Sequence, residues 1–238
     1  MIELIDNYWL YFLVGQYPAG PLGGLALTLI LGVAALALAL PLGLVLGLAR
    51  ASNLRMFRWP VGALVFIVRG TPLLMVIFWA YFFLPAVTGH ETSQFTTMLA
   101  ALVLFNGAYL AEIVRAGIQG IPPGQTECAR ALGLSYRQTM FSVILPQALR
   151  NMLPSLVGQL VTTLKETSLG YIIGLSEVSF IASQINAQVI TQPAEVYSIL
   201  ALTYFALCFG LSRAGRALEK RLSGRTSGVV PTPAAEAA

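Results

Sequence analysis

Five long apolar runs separated by short polar stretches organise this chain. Gly24–Ala49 is almost entirely Leu, Ala, Val and Gly, and no ionisable Asp, Glu, Lys, Arg or His occurs from Asn7 to Ala49. Trp59–Leu84 is interrupted only by Arg69. Phe95–Ile118 carries Glu112 and Arg115 near its end. Val143–Ile173 holds Arg150 at its start and Lys165-Glu166 deep inside, and Tyr197–Ser212 follows Glu195. A helix needs about 20 apolar residues to cross the hydrocarbon core of a bilayer. The pattern predicts an all-α integral membrane protein with five transmembrane helices. Residues 1–20 form an N-terminal segment whose Tyr8, Trp9, Tyr11 and Phe12 suit a membrane interface. Residues 21–222 are the transmembrane domain, and 223–238, rich in Pro, Ala, Gly, Ser and Thr, read as a disordered tail.

One internal segment, about 122–146, departs from the apolar pattern. Ile121-Pro122-Pro123-Gly124 ends the third run, because consecutive prolines cannot continue a helix. Gln125–Leu132 contains good helix formers, Gly133 supplies a stop, and a second helical stretch from Tyr136 leads past Leu145-Pro146 into the fourth run. The pattern alone leaves two readings open. The segment is an amphipathic loop on the lipid headgroups, or an arm reaching into water toward a partner.

Composition sharpens the membrane assignment. Of 238 residues, 57% are hydrophobic and 10% charged, against roughly a quarter charged in soluble domains, and mean hydropathy is +0.76. The basic residues sit on one side of the predicted spans. Arg50, Arg55, Arg58, Arg115, Arg130, Arg137, Arg150, Arg213, Arg216, Lys220, Arg221 and Arg225 share it, while Arg69 and Lys165 lie within spans. The opposite connections hold Glu3, Asp6, His90, Glu91, Glu177 and Glu195 and no Lys or Arg. The positive-inside rule places the N-terminus outside and the C-terminus in the cytoplasm. It also accounts for the net charge of +4 without nucleic acid. The N-terminus lacks the basic region of a cleaved signal, and Cys128 and Cys208 fall in different environments, against a disulfide.

Glu127-Cys128-Ala129, Gly133 after three further residues, then Val143 and Leu145-Pro146 resemble the EAA loop of ABC importer permeases. That motif reads Glu-Ala-Ala, three residues, Gly, nine residues, Ile, one residue, Leu-Pro. Cys128 and Val143 depart from it conservatively. Arg69-Gly70-Thr71-Pro72, Ala108–Ile118 and Leu164–Leu169 resemble the histidine/glutamate/glutamine/arginine branch of these permeases, with Glu166 where Asp is more common. The resemblance covers nearly the whole chain and implies the type I importer permease arrangement. It further implies a second permease subunit (a copy or a paralogue), an ATPase subunit dimer that binds ATP and Mg, and a periplasmic amino acid binding protein. No cofactor is expected in this chain. Glu127, Cys128, Ala129, Arg130 and Gly133 would then couple it to the ATPase.

Charges inside spans are costly and face a cavity or a partner. Glu112 and Arg115, three residues apart on one helix face, suit a structural ion pair. Lys165, Glu166, Thr167 and Ser168 offer both charge signs and two hydroxyls, as an amino acid zwitterion requires. Arg69, Thr71 and Asn106 extend this candidate substrate path; a latch at a dimer interface is the other reading. The outside stretch Gly174–Pro193 suits a periplasmic gate or a plain interfacial connection. The chain lacks a Gly-x-x-x-x-Gly-Lys-Ser/Thr phosphate loop, so ATP hydrolysis belongs elsewhere. A membrane enzyme has no support from His90 standing alone. An ion-gradient-driven amino acid carrier is the alternative, disfavoured by five spans without inverted halves. Among substrates, glutamate, glutamine or a related polar amino acid is expected.

Overall fold

The computed structural model describes residues 2–52 and 54–223, and the predicted tail lies almost wholly outside them. The elements are helices: α1 (Ile2–Val14), α2 (Gly24–Ala51), α3 (Arg55–Gly70), α4 (Leu73–Phe78), α5 (Leu84–Thr88), α6 (Gln94–Gln119), α7 (Pro123–Ala131), α8 (Tyr136–Gln138), α9 (Leu145–Glu166), α10 (Val178–Val189) and α11 (Pro193–Ser223). Short π-helical turns join α4 to α5 and α8 to α9, and a 3₁₀ segment, Thr167–Ile173, follows α9.

Among the described residues three helices, α2, α6 and α11, are long and apolar enough to cross a membrane, and α3 with α4–α5, bent by 101° at their break, makes a fourth if the bent pair counts as one span. The bend falls at Gly70-Thr71-Pro72, where Pro72 has no amide hydrogen to continue the ladder. The expected span at Val143–Ile173 differs. At 22 residues α9 is about 33 Å long, sufficient to cross, but Arg150, Lys165 and Glu166 keep it from the apolar composition of the others. In the aromatic N-terminal segment, Leu4 and Phe12 of α1 are buried against α10 and Val196 of α11, while Trp9 is exposed.

Close packing of α2 on α6 forms the centre. The buried residues of α2 are mostly small, with Ala35, Ala39, Gly43 and Gly47 recurring every four positions. Apolar side chains gain little from leaving lipid for protein, so helices in membranes associate by backbone approach and tight contact. A Cβ on Gly43 would lie 2.4 Å from the Leu110 Cβ, and one on Gly47 2.5 Å from that of Val114. These pairings advance together along both helices, so α2 and α6 run parallel. Helix α9 crosses back against α6, with Gly117 facing Met152, and α11 returns along α9, with Gly215 facing Val157. The arginines closing α2, α6 and α11 therefore meet those opening α3 and α9 at one basic end. Gly43→Val should destabilise the bundle by about 2 kcal/mol or more through overpacking. Thermal unfolding in detergent checks this against Gly210→Ala, where nothing lies within 4 Å of the added Cβ.

Candidate functional site

A buried asparagine organises the polar interior. Asn106 on α6 is fully buried, and all its amide capacity is used. Its Nδ2 donates to the Leu102 carbonyl at 3.1 Å and to Glu166 Oε2 at 2.9 Å. Its Oδ1 accepts from Gln159 Nε2 and from Thr163 Oγ1, each at 2.6 Å. Three side chains of α9 thus converge on one side chain of α6. An unpartnered amide here would cost several kcal/mol in an apolar surrounding. Positions 159, 163 and 166 share a helical face, which is why one asparagine reaches all three.

Gln159 also lines a cavity of about 410 Å³ between α3, α6 and α9. Arg69, Tyr109, Glu112, Asn151 and Ser155 share its wall. The Arg69 guanidinium lies 4.9 Å from the centre of the Tyr109 ring, a cation–π arrangement. Its Nη1 is 3.8 Å from Glu112 Oε2. Glu112 is gripped further by Arg50 from α2 and by Arg115 from its own helix, so three guanidinium groups surround one carboxylate. The wall therefore combines one cation, Arg69, and one anion, Glu112, with neutral hydrogen-bonding groups, and Glu166 stands behind it, joined to Gln159 through Asn106 by two hydrogen bonds.

The other predicted path residues divide. Lys165 points away from Glu166, into a separate cavity of about 330 Å³ between α9 and α11 beside Arg216 and Glu219. Thr167 is buried, with its hydroxyl donating to the Leu164 carbonyl at 2.7 Å, and Ser168 donates to the Lys165 carbonyl at 2.7 Å. Thr71 likewise bonds the Ile67 carbonyl at 2.9 Å. Adjacent residues on a helix diverge by about 100°, which separates Lys165 from Glu166.

The arm is built separately. Pro123 opens α7 at a position where its missing amide hydrogen costs nothing. Gly133, at φ +79°, closes it: the amides of Leu132, Gly133 and Leu134 bond back to the carbonyls of Cys128, Arg130 and Ala129. Ser135 and Gln138 then form a reciprocal capping box at α8. Gln147 Nε2 reaches Gln125 Oε1 at 3.2 Å, tying the arm to α9. Ala129 is buried, while Glu127, Cys128, Arg130 and Leu132 are exposed. At 82% exposure Leu132 is an apolar side chain held out at the tip of a rigid turn, and sequence reasoning passed over it.

Residues 39–224 match the model of the binding-protein-dependent transport system inner membrane component. The chain belongs to that family. It is 39% identical to the arginine transport system permease protein ArtQ of Bacillus subtilis (strain 168), over 84% of this chain and 91% of that one. With the probable glutamine ABC transporter permease protein GlnP of the same organism, identity is 38% over 83% of this chain and 91% of that one. The chain spans 62% of the length of the inner membrane amino-acid ABC transporter permease protein YhdY of Escherichia coli (strain K12), at 38% identity over 92% of its own length. A solved structure described as an amino acid ABC transporter with histidines superposes with a TM-score of 0.78 at 34% identity, over 83% of this chain and 92% of that one. The all-helical type I permease fold and the inner-membrane location follow from membership.

Two further residues of this permease escaped the sequence reading. Arg50 read only as an orienting cation, because nothing local announces its pairing with Glu112 across 62 positions. Glu177 read only as a polar residue of the connection before α10, yet it is fully buried. Its carboxylate caps α10, accepting the amides of Ser179 and Phe180 at 2.9 Å each and the Tyr204 hydroxyl of α11 at 3.2 Å. An acidic residue just before an apolar run was the available signal. Beside it, the Val178 amide donates to Thr28 Oγ1 and the Gly24 amide to the Ser176 carbonyl, fastening α10 to the start of α2.

Burial pushes the Glu177 carboxyl up to about 7, despite the hydrogen bonds that favour its charge. A carboxyl raised on folding makes no difference below its unfolded value near 4.5. It progressively destabilises the fold as pH rises from there to about 7, and the penalty reaches on the order of 3 kcal/mol. Thermal midpoints in detergent should therefore be higher at pH 5 than at pH 7.5, and Glu177→Gln should flatten that slope.

Proposed function

We propose that this permease is the transmembrane subunit of an ATP-driven, binding-protein-dependent importer of polar amino acids, with glutamate- or glutamine-like substrates favoured. The observation carrying the reading is the exposed, rigidly seated arm on a chain of this family. A separate ATPase dimer docks on Glu127, Cys128, Arg130 and Leu132, with Ala129 seating the helix and Gly133 setting its turn. Closure of that dimer on ATP and Mg moves the spans through the arm. A second permease subunit and a periplasmic binding protein complete the assembly, and the positive-inside rule sets the arm and C-terminus in the cytoplasm.

The substrate passes the cavity between α3, α6 and α9. Arg69 supplies positive charge for a carboxylate, and Asn151, Ser155 and Gln159 supply neutral hydrogen bonds; Glu166, behind this wall through Asn106 and Gln159, supplies negative charge toward an ammonium group. Relatives named for arginine, glutamine and glutamate fit a site that recognises the shared backbone zwitterion. The glutamate and glutamine preference rests on Arg69 as the cation of this wall, set among neutral hydrogen-bonding side chains.

Reconstitution with the ATPase and binding protein tests the reading: uptake should require both, and uptake driven by an ion gradient alone would overturn it. In that system Leu132→Asp should lower uptake at least about tenfold, with fold stability within about 0.5 kcal/mol because the side chain packs on nothing. Glu166→Gln keeps a partner for Asn106 and should also lower uptake about tenfold while leaving ATPase docking intact. A membrane-impermeant thiol reagent should label exposed Cys128 in inverted vesicles, and bound ATPase should protect it.

A further inference from the structure

A second cavity, of about 500 Å³, opens at the basic end between α2, α3 and α6. Arg50, Arg58, Arg115, Gln119, Trp59 and Phe66 line it. We propose that it holds an anionic glycerophospholipid, its phosphodiester on the three arginines and an acyl chain along α3. The proposal rests on reading α2, α3 and α6 as membrane helices and not on the transport reading.

Charge comes first. Glu112 engages Arg50 and Arg115, but one carboxylate cannot balance both, and it also lies within 4 Å of Arg69. Arg58 forms no ion pair among the described residues and stands exposed at the mouth. Guanidinium groups present paired N–H donors that match a phosphodiester, and basic pockets between transmembrane helices suit anionic headgroups. Arg50 and Arg115 are already oriented by Glu112, so little side-chain freedom remains to be lost on binding.

The face of α3 supplies the rest. Trp59, Gly62, Ala63 and Phe66 follow the spacing of one helical face. Trp59 is 70% exposed and Phe66 78% exposed, about 10 Å further along the axis. Two small residues between two large rings leave a notch: a Cβ on Gly62 would meet only the Arg50 Nε, at 4.0 Å. Tryptophan prefers headgroup depth, which places Phe66 at the depth of the acyl chains. A free phosphate would use the arginines and leave the notch empty. A second copy of this chain would bring its own Arg50, Arg55 and Arg58 to the same end, so like charges would meet.

The full-length permease, placed in nanodiscs of phosphatidylcholine with one part in ten phosphatidylglycerol and ejected for native mass spectrometry, should retain phosphatidylglycerol selectively. Arg58→Gln should reduce that retention about fivefold, the share of one juxtamembrane cation. Arg55→Gln, one turn earlier and outside the cavity, should not. Gly62→Leu keeps every charge, fills the notch and should reduce retention as well. Inorganic phosphate in excess should fail to displace the lipid. Unchanged retention in both Arg58→Gln and Gly62→Leu overturns the proposal, as does an equal loss in Arg55→Gln, which marks diffuse surface charge. Displacement by phosphate overturns it in favour of a free-anion site.

Discussion

Every polar group inside an apolar bundle must find a partner there, and the architecture turns on that requirement. Water cannot rescue an unpaired amide or carboxylate between membrane helices, so each polar side chain selects its neighbours. Asn106 does so most completely, with its donors and acceptor met by α6 and α9. Glu112 does the same with charge, gathering arginines from three helices. Glu177 repeats it at the opposite end, where one carboxylate caps α10 and holds α11. These three centres fix the rotation and depth of helices that apolar packing alone would leave free to slide.

Small residues make the arrangement possible. The α2 stripe ending at Gly43 and Gly47 lets two backbones approach until a methyl group would collide. That approach brings Arg50 within reach of Glu112, and the same register puts Thr28 of α2 against the amide of Val178. Close packing and polar pairing are coupled. Loss of contact between α2 and α6 would unpair groups at both ends of the bundle.

The arm obeys different physics because most of its side chains are exposed. Proline at its start, a left-handed glycine at its turn and a capping box at its re-entry are local devices, each satisfying backbone groups without a tertiary partner. Anchored by Ile121 and Ile144 on the ends of α6 and α9, it is stiff where the bundle grips it. Its exposed face is therefore positioned by the same helices that line the polar cavity.

Sequence by itself determined the spans read as Gly24–Ala49 and Phe95–Ile118, the helical arm and its glycine, and the family. Each rests on apolar run length, proline and glycine chemistry, or residue spacing within one short stretch, and those are written locally. The division of the charged residues was not. Adjacency already turns Lys165 and Glu166 to different sides of a helix, but that one meets α11 and the other Asn106 is not written there. Glu112 and Arg115 are a legible pair, but the third and fourth members, Arg50 and Arg69, come from other helices. Glu177 looks like a surface polar residue until the start of α2 and the side of α11 close over it. Only tertiary structure decided these, because the free energy of a buried charge depends on which groups surround it, and distant parts of the chain supply them.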